Sequence, residues 1–473
     1  MSNFQNRQNR EELRILLARF QNLKNGLPDS YIEEEGFEHI IEHFEEREKH
    51  VQALEASAYG ISQYPYSGNL LLLNASMLVV LRRYEAALDI LQKLSVLNFL
   101  EVTKYVLEVE CYLALNQNED AETTMTEAIS LFEGEEKVDL LFELADVFDD
   151  YEIFDKVFEC MKFILEIEGN NEEALYKICF WTEYTGRNEE SIRLHQNIIE
   201  QFPFNELAWF NLGAAYQGIK LHEKAIEAYL YATAIDERFD YAYRNLGDAY
   251  LRLRRFPEAI ESLQKVLDIA SPETVLYEAI GHCWDKMNKF SEARKSYAKA
   301  IGLNPEDHQL HYKVGCTHMN EGHWSLALKS LLIANKVHKI QPEYNHAIGQ
   351  CYMEMQNYDE AVTYLGTVVR IRPKNILAWT DLLRCFHLAE QWEEGFDYAQ
   401  FAWEQTEGKP IFLFYKSLFL FEQGKFKEAL VFLENGMHIS PKLVKKLVEL
   451  NPLILQHPAV VDVIARYKQR KFL

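Results

Sequence analysis

Five histidines crowd one stretch of the chain: His308, His311, His318, His323 and His338. Imidazoles gathered in this way hold zinc or move protons near neutral pH. Three cysteines, Cys283, Cys351 and Cys385, fall on one regular interval or its double. A thiol is a nucleophile only where its surroundings favour the thiolate. Between Glu133 and Asp155 stand ten acids and one lysine, and paired carboxylates are the tools of general acid and base catalysis. Spacing and surroundings speak against each chemistry. His311 and His318 are seven apart, two turns along one helix face, and read as packing rings. Nothing in the sequence near the cysteines supplies a cationic setting, so they read as small buried residues. Acid pairs recur throughout so acidic a chain and single out no position. Phosphate-binding, nucleophile-elbow, zinc-protease and dinucleotide motifs are all missing. No catalytic residue, metal or cofactor is expected.

The elements that must position these residues announce themselves by a period. The phrase RFPEAIESL at 255 returns as KFSEARKSY at 289, HWSLALKSL at 323, NYDEAVTYL at 357, QWEEGFDYA at 391 and KFKEALVFL at 425. Phe256, Phe290, Trp324, Tyr358, Trp392 and Phe426 follow one another at a constant interval. Within each unit two apolar stripes at i, i+3, i+4, i+7 are split by a short polar turn, which predicts a helix pair, A then B. With one unit started at Glu206, Trp209 takes position 4, Leu212 position 7, Gly213 position 8, Tyr216 position 11 and Ala225 position 20. Gly247, Gly281, Gly315 and Gly349 hold position 8 of later units, and Ala259, Ala293, Ala327, Ala361 and Ala429 hold position 20. Small residues at these places let A approach B. Pro257, Ser291, Ser325 and Asp359, at position 18, are suited to opening helix B. The ring just before them wedges against the preceding helix.

This pattern of Trp, Leu-Gly, Tyr, Ala, aromatic, Ala and Pro strongly resembles the tetratricopeptide repeat, and the length of the array resembles the long superhelical members of bacterial type. The resemblance implies an all-α, right-handed superhelical solenoid of helix-turn-helix repeats. Units start at 138, 172, 206, 240, 274, 308, 342, 376 and 410; a slip of two residues near Glu133–Lys137 places earlier, degenerate units at 34, 68 and 102. Twelve repeats then run from 34 to 443. The expected organisation is an N-terminal arm with a short amphipathic helix (1–33), degenerate repeats (34–137), the main array (138–443) and C-terminal capping helices with a basic tail (444–473). In the arm Leu13, Leu16, Leu17 and Phe20 form the amphipathic turns, and the polar stretch before them is expected to be disordered. Glu108 falls on a core position, which leaves the register of its unit open.

The totals agree with such an array. The chain has 473 residues, 48% of them hydrophobic, so it is folded, and a formal charge of −24 speaks against sequence-independent nucleic-acid binding. Seven scattered cysteines suggest neither a disulfide framework nor a zinc site. No run of about 18 apolar residues marks a membrane span, and no leader is evident. A cytoplasmic protein is expected, with no membrane partner.

The resemblance also implies a function, the binding of another polypeptide, and a place for it. Helix A positions 2, 5, 6, 9, 12 and 13 face the groove of such arrays. They carry Asp139, Glu143, Asp146, Asp149 and Asp150 in one unit, Tyr176, Phe180 and Tyr184 in the next, then Phe210 and Asn211, then Tyr241, Arg244 and Asn245. The clamp that grips a C-terminal carboxylate in some co-chaperone members is incomplete here. Asn211 and Asn245 resemble a short piece of the asparagine ladder that holds a peptide backbone. The sequence therefore predicts a scaffold that takes an extended, basic peptide segment. Two alternatives stay open: a catalytic site inside the groove, or a peptide-sensing regulator, for which the segment 1–33 is too short to supply a DNA-binding domain. The arm carries Arg7, Arg10, Arg14, Arg19 and Lys24 against Glu11 and Glu12. It is expected to pack on its own array or on a neighbour's, the latter giving a homo-oligomer. If the first groove is wrong, Phe414, Tyr415 and Phe421 occupy groove positions near the C-terminus.

Overall fold

A computed structural model describes residues 2–27 and 31–469. The described residues form 27 α-helices and no strand. Helix α1 (Ser2–Lys24) precedes twelve antiparallel pairs. These are α2 (Glu34–Glu45) and α3 (His50–Gln63), α4 (Gly68–Val80) and α5 (Tyr84–Val96), α6 (Val102–Ala114) and α7 (Asn118–Leu131), and α8 (Gly134–Asp150) and α9 (Phe154–Ile167). Next come α10 (Glu172–Thr185) and α11 (Asn188–Gln201), α12 (Glu206–Gly218) and α13 (His222–Ile235), α14 (Asp240–Arg252) and α15 (Phe256–Ile269), and α16 (Thr274–Lys286) and α17 (Phe290–Leu303). The last are α18 (His308–Asn320) and α19 (Trp324–Val337), α20 (Pro342–Glu354) and α21 (Tyr358–Ile371), α22 (Ile376–Leu388) and α23 (Trp392–Gln405), and α24 (Ile411–Glu422) and α25 (Phe426–Ile439). Helices α26 (Val444–Leu450) and α27 (Pro458–Gln469) follow. The chain packs as two compact units, Met1–Asn245 and Leu246–Leu473.

The turn from A to B is built the same way in every pair. Its closing residue has a left-handed backbone: Glu48, Arg82, Asn116, Glu152, Gly186, Lys220, Arg254, Asn288, Gly322, Gln356, Glu390 and Gly424 all have positive φ. The series keeps the interval of the repeat except from Asn116 to Glu152, where the slip lies. Most of these residues are not glycine, so each of those turns accepts about 1 kcal/mol of backbone strain that packing must offset. The packing is visible at positions 8 and 20. A Cβ added to Gly213 would stand 2.5 Å from the Tyr229 ring, and one on Gly281 would stand 2.6 Å from the Tyr297 ring. Ala225, Ala259, Ala293, Ala327 and Ala361 are wholly buried on the facing helix.

Capping differs from expectation. The side chains that close a helix N-terminus belong to helices A: Ser67, Asn171, Asn205, Asp307 and Asn375 accept from backbone amides of the following turn. Ser291, Ser325 and Asp359 lie one residue inside helix B, and the residues before those helices make no side-chain cap. Short A–B turns leave no extended residue to cap with.

In the first unit α1 packs on its own array. Phe20 is buried among Phe37, Phe44 and Tyr59, with ring centroids 5.8 to 6.5 Å away, and Lys24 Nζ lies 2.5 Å from Glu55. The helix begins at Ser2, so the polar stretch expected to be disordered continues it; no Gly or Pro interrupts it. Glu108 lies at the edge of the core, partly buried, and the buried Lys104 one turn earlier pairs with it at 3.6 Å. In the second unit α24 is buried on every side from Ile411 to Phe421, beneath α23, α25 and α26. Phe414, Tyr415 and Phe421 are therefore core residues, which removes the C-terminal groove as a site. The segment 470–473 of the basic tail lies outside the described residues, as do the side chains of Arg7 and Arg10.

Candidate functional site

In the first unit neighbouring helices A pack on each other, α6 on α8 and α10 on α12, whereas α9 and α11 scarcely touch. Between α8 and α10 the link is made by side chains, Lys177 of α10 reaching Asp146 and the Phe142 ring of α8. On α8 the spacing of Asp139, Glu143, Asp146 and Asp150 puts four acids along one stripe, and all four are exposed. Partial burial of its carboxyl among these neighbours raises Glu143 above the usual range, helped by the like charges of Asp139, Glu101 and Asp146. On α6, Glu110 is raised by burial and by Asp150. The repeat there is degenerate, so the sequence did not mark Glu110, although it holds position 9 of its unit.

Beside the acids, Tyr176, Phe180 and Tyr184 follow one another at i, i+4, i+8 on α10, each about three-fifths exposed (63%, 59% and 60%). They are not isolated. Phe154, at the start of α9, lies 4.6 Å from Tyr184 and stacks on Trp181 at 5.3 Å, and Trp181 meets Phe180 at 4.8 Å. Phe154 and Trp181 occupy packing positions of the repeat, and only the run FWTEYT hinted at a ring cluster. Between acids and rings stands Lys177. Its Nζ is 2.9 Å from Glu173 and 3.8 Å from Asp146, and it lies over the Phe142 ring at 5.1 Å.

The two asparagines do not make a ladder. Asn211 is 2% exposed. Its amide nitrogen donates to the Leu175 carbonyl at 2.7 Å and meets Nε2 of His195 at 3.2 Å. His195 Nδ1 in turn donates to the Ser191 carbonyl at 2.7 Å, and burial lowers its pKa to about 4. Asn211 therefore ties α12 to α10 and α11 and has no amide to offer a ligand. Asn245 donates to the Tyr241 carbonyl at 3.2 Å in its own helix. Arg244 pairs with Asp240 at 3.2 Å, and Tyr241 presents an exposed ring. Phe210 is half-buried against Tyr229 and Phe239, at 5.7 and 5.1 Å. The exposed surface is thus the α8 stripe, the α10 rings and Tyr241.

The groups considered for other chemistry are mostly engaged in packing. His311 donates to the Pro305 carbonyl at 3.3 Å, and His308 meets the Tyr344 hydroxyl at 2.7 Å. Cys283, Cys351 and Cys385 are buried, which pushes their thiols up to about 11, 12 and 12. Among the described helices none is long and apolar enough to cross a membrane.

Tetratricopeptide repeat profiles match residues 207–239, 240–271, 275–307 and 342–375. None of the curated proteins matches the sequence. Several solved structures are similar. One is YrrB, "a TPR protein with an unusual peptide-binding site", with 21% identity over 39% of this chain and 95% of that one, and a TM-score of 0.35. Another is the C-terminal part of a TPR repeat-containing protein from Cytophaga hutchinsonii (15% identity, 54% and 99% covered, TM-score 0.42). A third is the APC/C hetero-tetramer Cut9–Hcn1 (13% identity, 84% and 90% covered, TM-score 0.34). The matched profiles fall on four helix pairs, three of them consecutive, that share the same left-handed turn and the same close A–B contact, and the chain is a tetratricopeptide-repeat protein.

Proposed function

We propose that this protein is a non-catalytic scaffold that holds an extended, basic segment of another polypeptide along the A faces of α8 and α10. The observation that carries this reading is the adjacency of exposed acids on α8 to exposed rings on α10. Large rings three-fifths in water are costly for a free surface and suit a partner. Acids beside them suit lysine and arginine, whose aliphatic stems lie on rings while their charges meet carboxylates. Lys177 supports the reading from within the chain, since it already sits over Phe142 between Glu173 and Asp146. A ligand lysine at Asp150 and Tyr184 would repeat that arrangement.

Selection of a random-peptide display library on the full chain tests the proposal. Lys/Arg-rich sequences with no helical periodicity are the expected outcome, and they should not be enriched on an Asp146→Lys/Asp150→Lys variant. Enrichment of acidic or purely apolar sequences would contradict it.

A further inference from the structure

Among the described residues, one group of three metal-ligating side chains converges: His318, Glu321 and His323, whose ligand atoms lie within 4.8 Å of one another. The repeat turn brings them together. His318 is near the end of α18, and Gly322, with φ 74°, reverses the chain so that His323 precedes α19. The same two positions meet elsewhere in the second unit: Arg255 lies over the Tyr250 ring at 4.8 Å and Lys289 over the Trp284 ring at 4.9 Å. What is a cation on a ring in those turns is a pair of imidazoles here, with centroids 6.1 Å apart. Glu321 stands between them and its Oε2 is 3.3 Å from His323 Nδ1. His318 Nδ1 is buried and has no hydrogen-bond partner, a state it shares with His50, His222 and His457, but of these only His318 belongs to the converging group, and a ligand would satisfy it.

We propose that this turn is a binding site for a divalent transition metal of the zinc class, held by His318, Glu321 and His323. Two imidazoles and one carboxylate suit zinc, nickel or copper and do not suit calcium or magnesium, which prefer all-oxygen sets. Zinc–ligand distances of about 2.0–2.2 Å place ligand atoms about 3.3 Å apart. The widest-spaced side chains must therefore close by roughly 1.5 Å, a rotation within one turn. Three protein ligands leave a fourth position for water or for a group from a partner. Expecting His318 to act only as a packing ring follows from one helix face alone. Glu321 and His323 lie beyond the helix end, and only the turn returns them to it.

Arg294 of α17 opposes the metal, since its guanidinium lies 2.7 Å from the same Glu321 oxygen. Metal binding must displace it or use the other carboxylate oxygen, so removing it tells a site from a chance cluster. The test is competition for Zn2+ between the full chain and a chromophoric chelator, with far-UV circular dichroism to verify each fold. One equivalent is expected in the parent and none at this site in His318→Ala/His323→Gln. Glu321→Gln should weaken uptake and Arg294→Gln should tighten it several-fold. The chain has 15 histidines, so weaker uptake elsewhere is read as the part shared by all variants. No uptake by the parent, or the same equivalents and affinity in the parent and the two folded ligand variants, would overturn the proposal.

Discussion

Single side chains in this protein are judged by what already holds them. Asn211 has the residue type of a backbone-binding ladder, yet its amide is engaged by Leu175 and His195. This network gives a pH prediction whose sign follows from linkage. Burial lowers His195 from about 6.5 when unfolded to about 4 when folded. The unfolded chain then binds the proton more readily, so the stability His195 supports is whole above pH 6.5 and is lost as pH falls towards 4. Equilibrium denaturation at pH 7.5 and 4.5 should show a loss of about 2–3 kcal/mol that a folded His195→Gln variant lacks. Equal losses in both proteins would mean that the imidazole is not held neutral. The burial of Asn211 was not legible in the sequence, because its partners, the Leu175 carbonyl and the His195 ring, lie on the two helices of the preceding pair.

At the scale of the element, the repeat is a set of close approaches. Gly213 lies so near Tyr229 that even a methyl group has no room. Gly213→Ala should push α12 from α13 and cost about 1–3 kcal/mol, an overpacking penalty. Gly302, in open surroundings on α17, is the control, and Gly302→Ala should be neutral or slightly stabilising. Equal melting temperatures for the two variants would contradict the assigned contact. These approaches were legible because glycine and alanine recur at one period. The α10–α11 pair was legible from the period, but Cys179 and Ser191 stand where other units have glycine and alanine, and the two helices touch little. The A–B turns were hidden, because most of their left-handed residues are Glu, Arg, Asn, Lys or Gln. The ends illustrate the same limit. The apolar stripe of α1 announces a helix, but not that Phe20 seals Phe37. Helix α24 has the repeat positions of a groove helix, and packing by α22, α23, α25 and α26 makes those positions core.

For the whole molecule, charge and form act together. A chain of net charge −24 with an acidic stripe on α8 attracts cations over a distance set by salt, about 10 Å at 0.1 M. Exposed acids act mainly on the rate of encounter, while the rings of α10 act on the lifetime of the complex. The measurement that bears most directly on this account is the binding of a labelled octa-lysine peptide to the full chain, followed by fluorescence anisotropy at low and high salt. The parent should bind more tightly at low salt. Asp146→Lys/Asp150→Lys should lose at least about tenfold, roughly 1.4 kcal/mol, and Phe180→Ala/Tyr184→Ala should lose affinity even at high salt, where charge is screened. If all three proteins bind the peptide alike at both salts, the A faces of α8 and α10 are not the site.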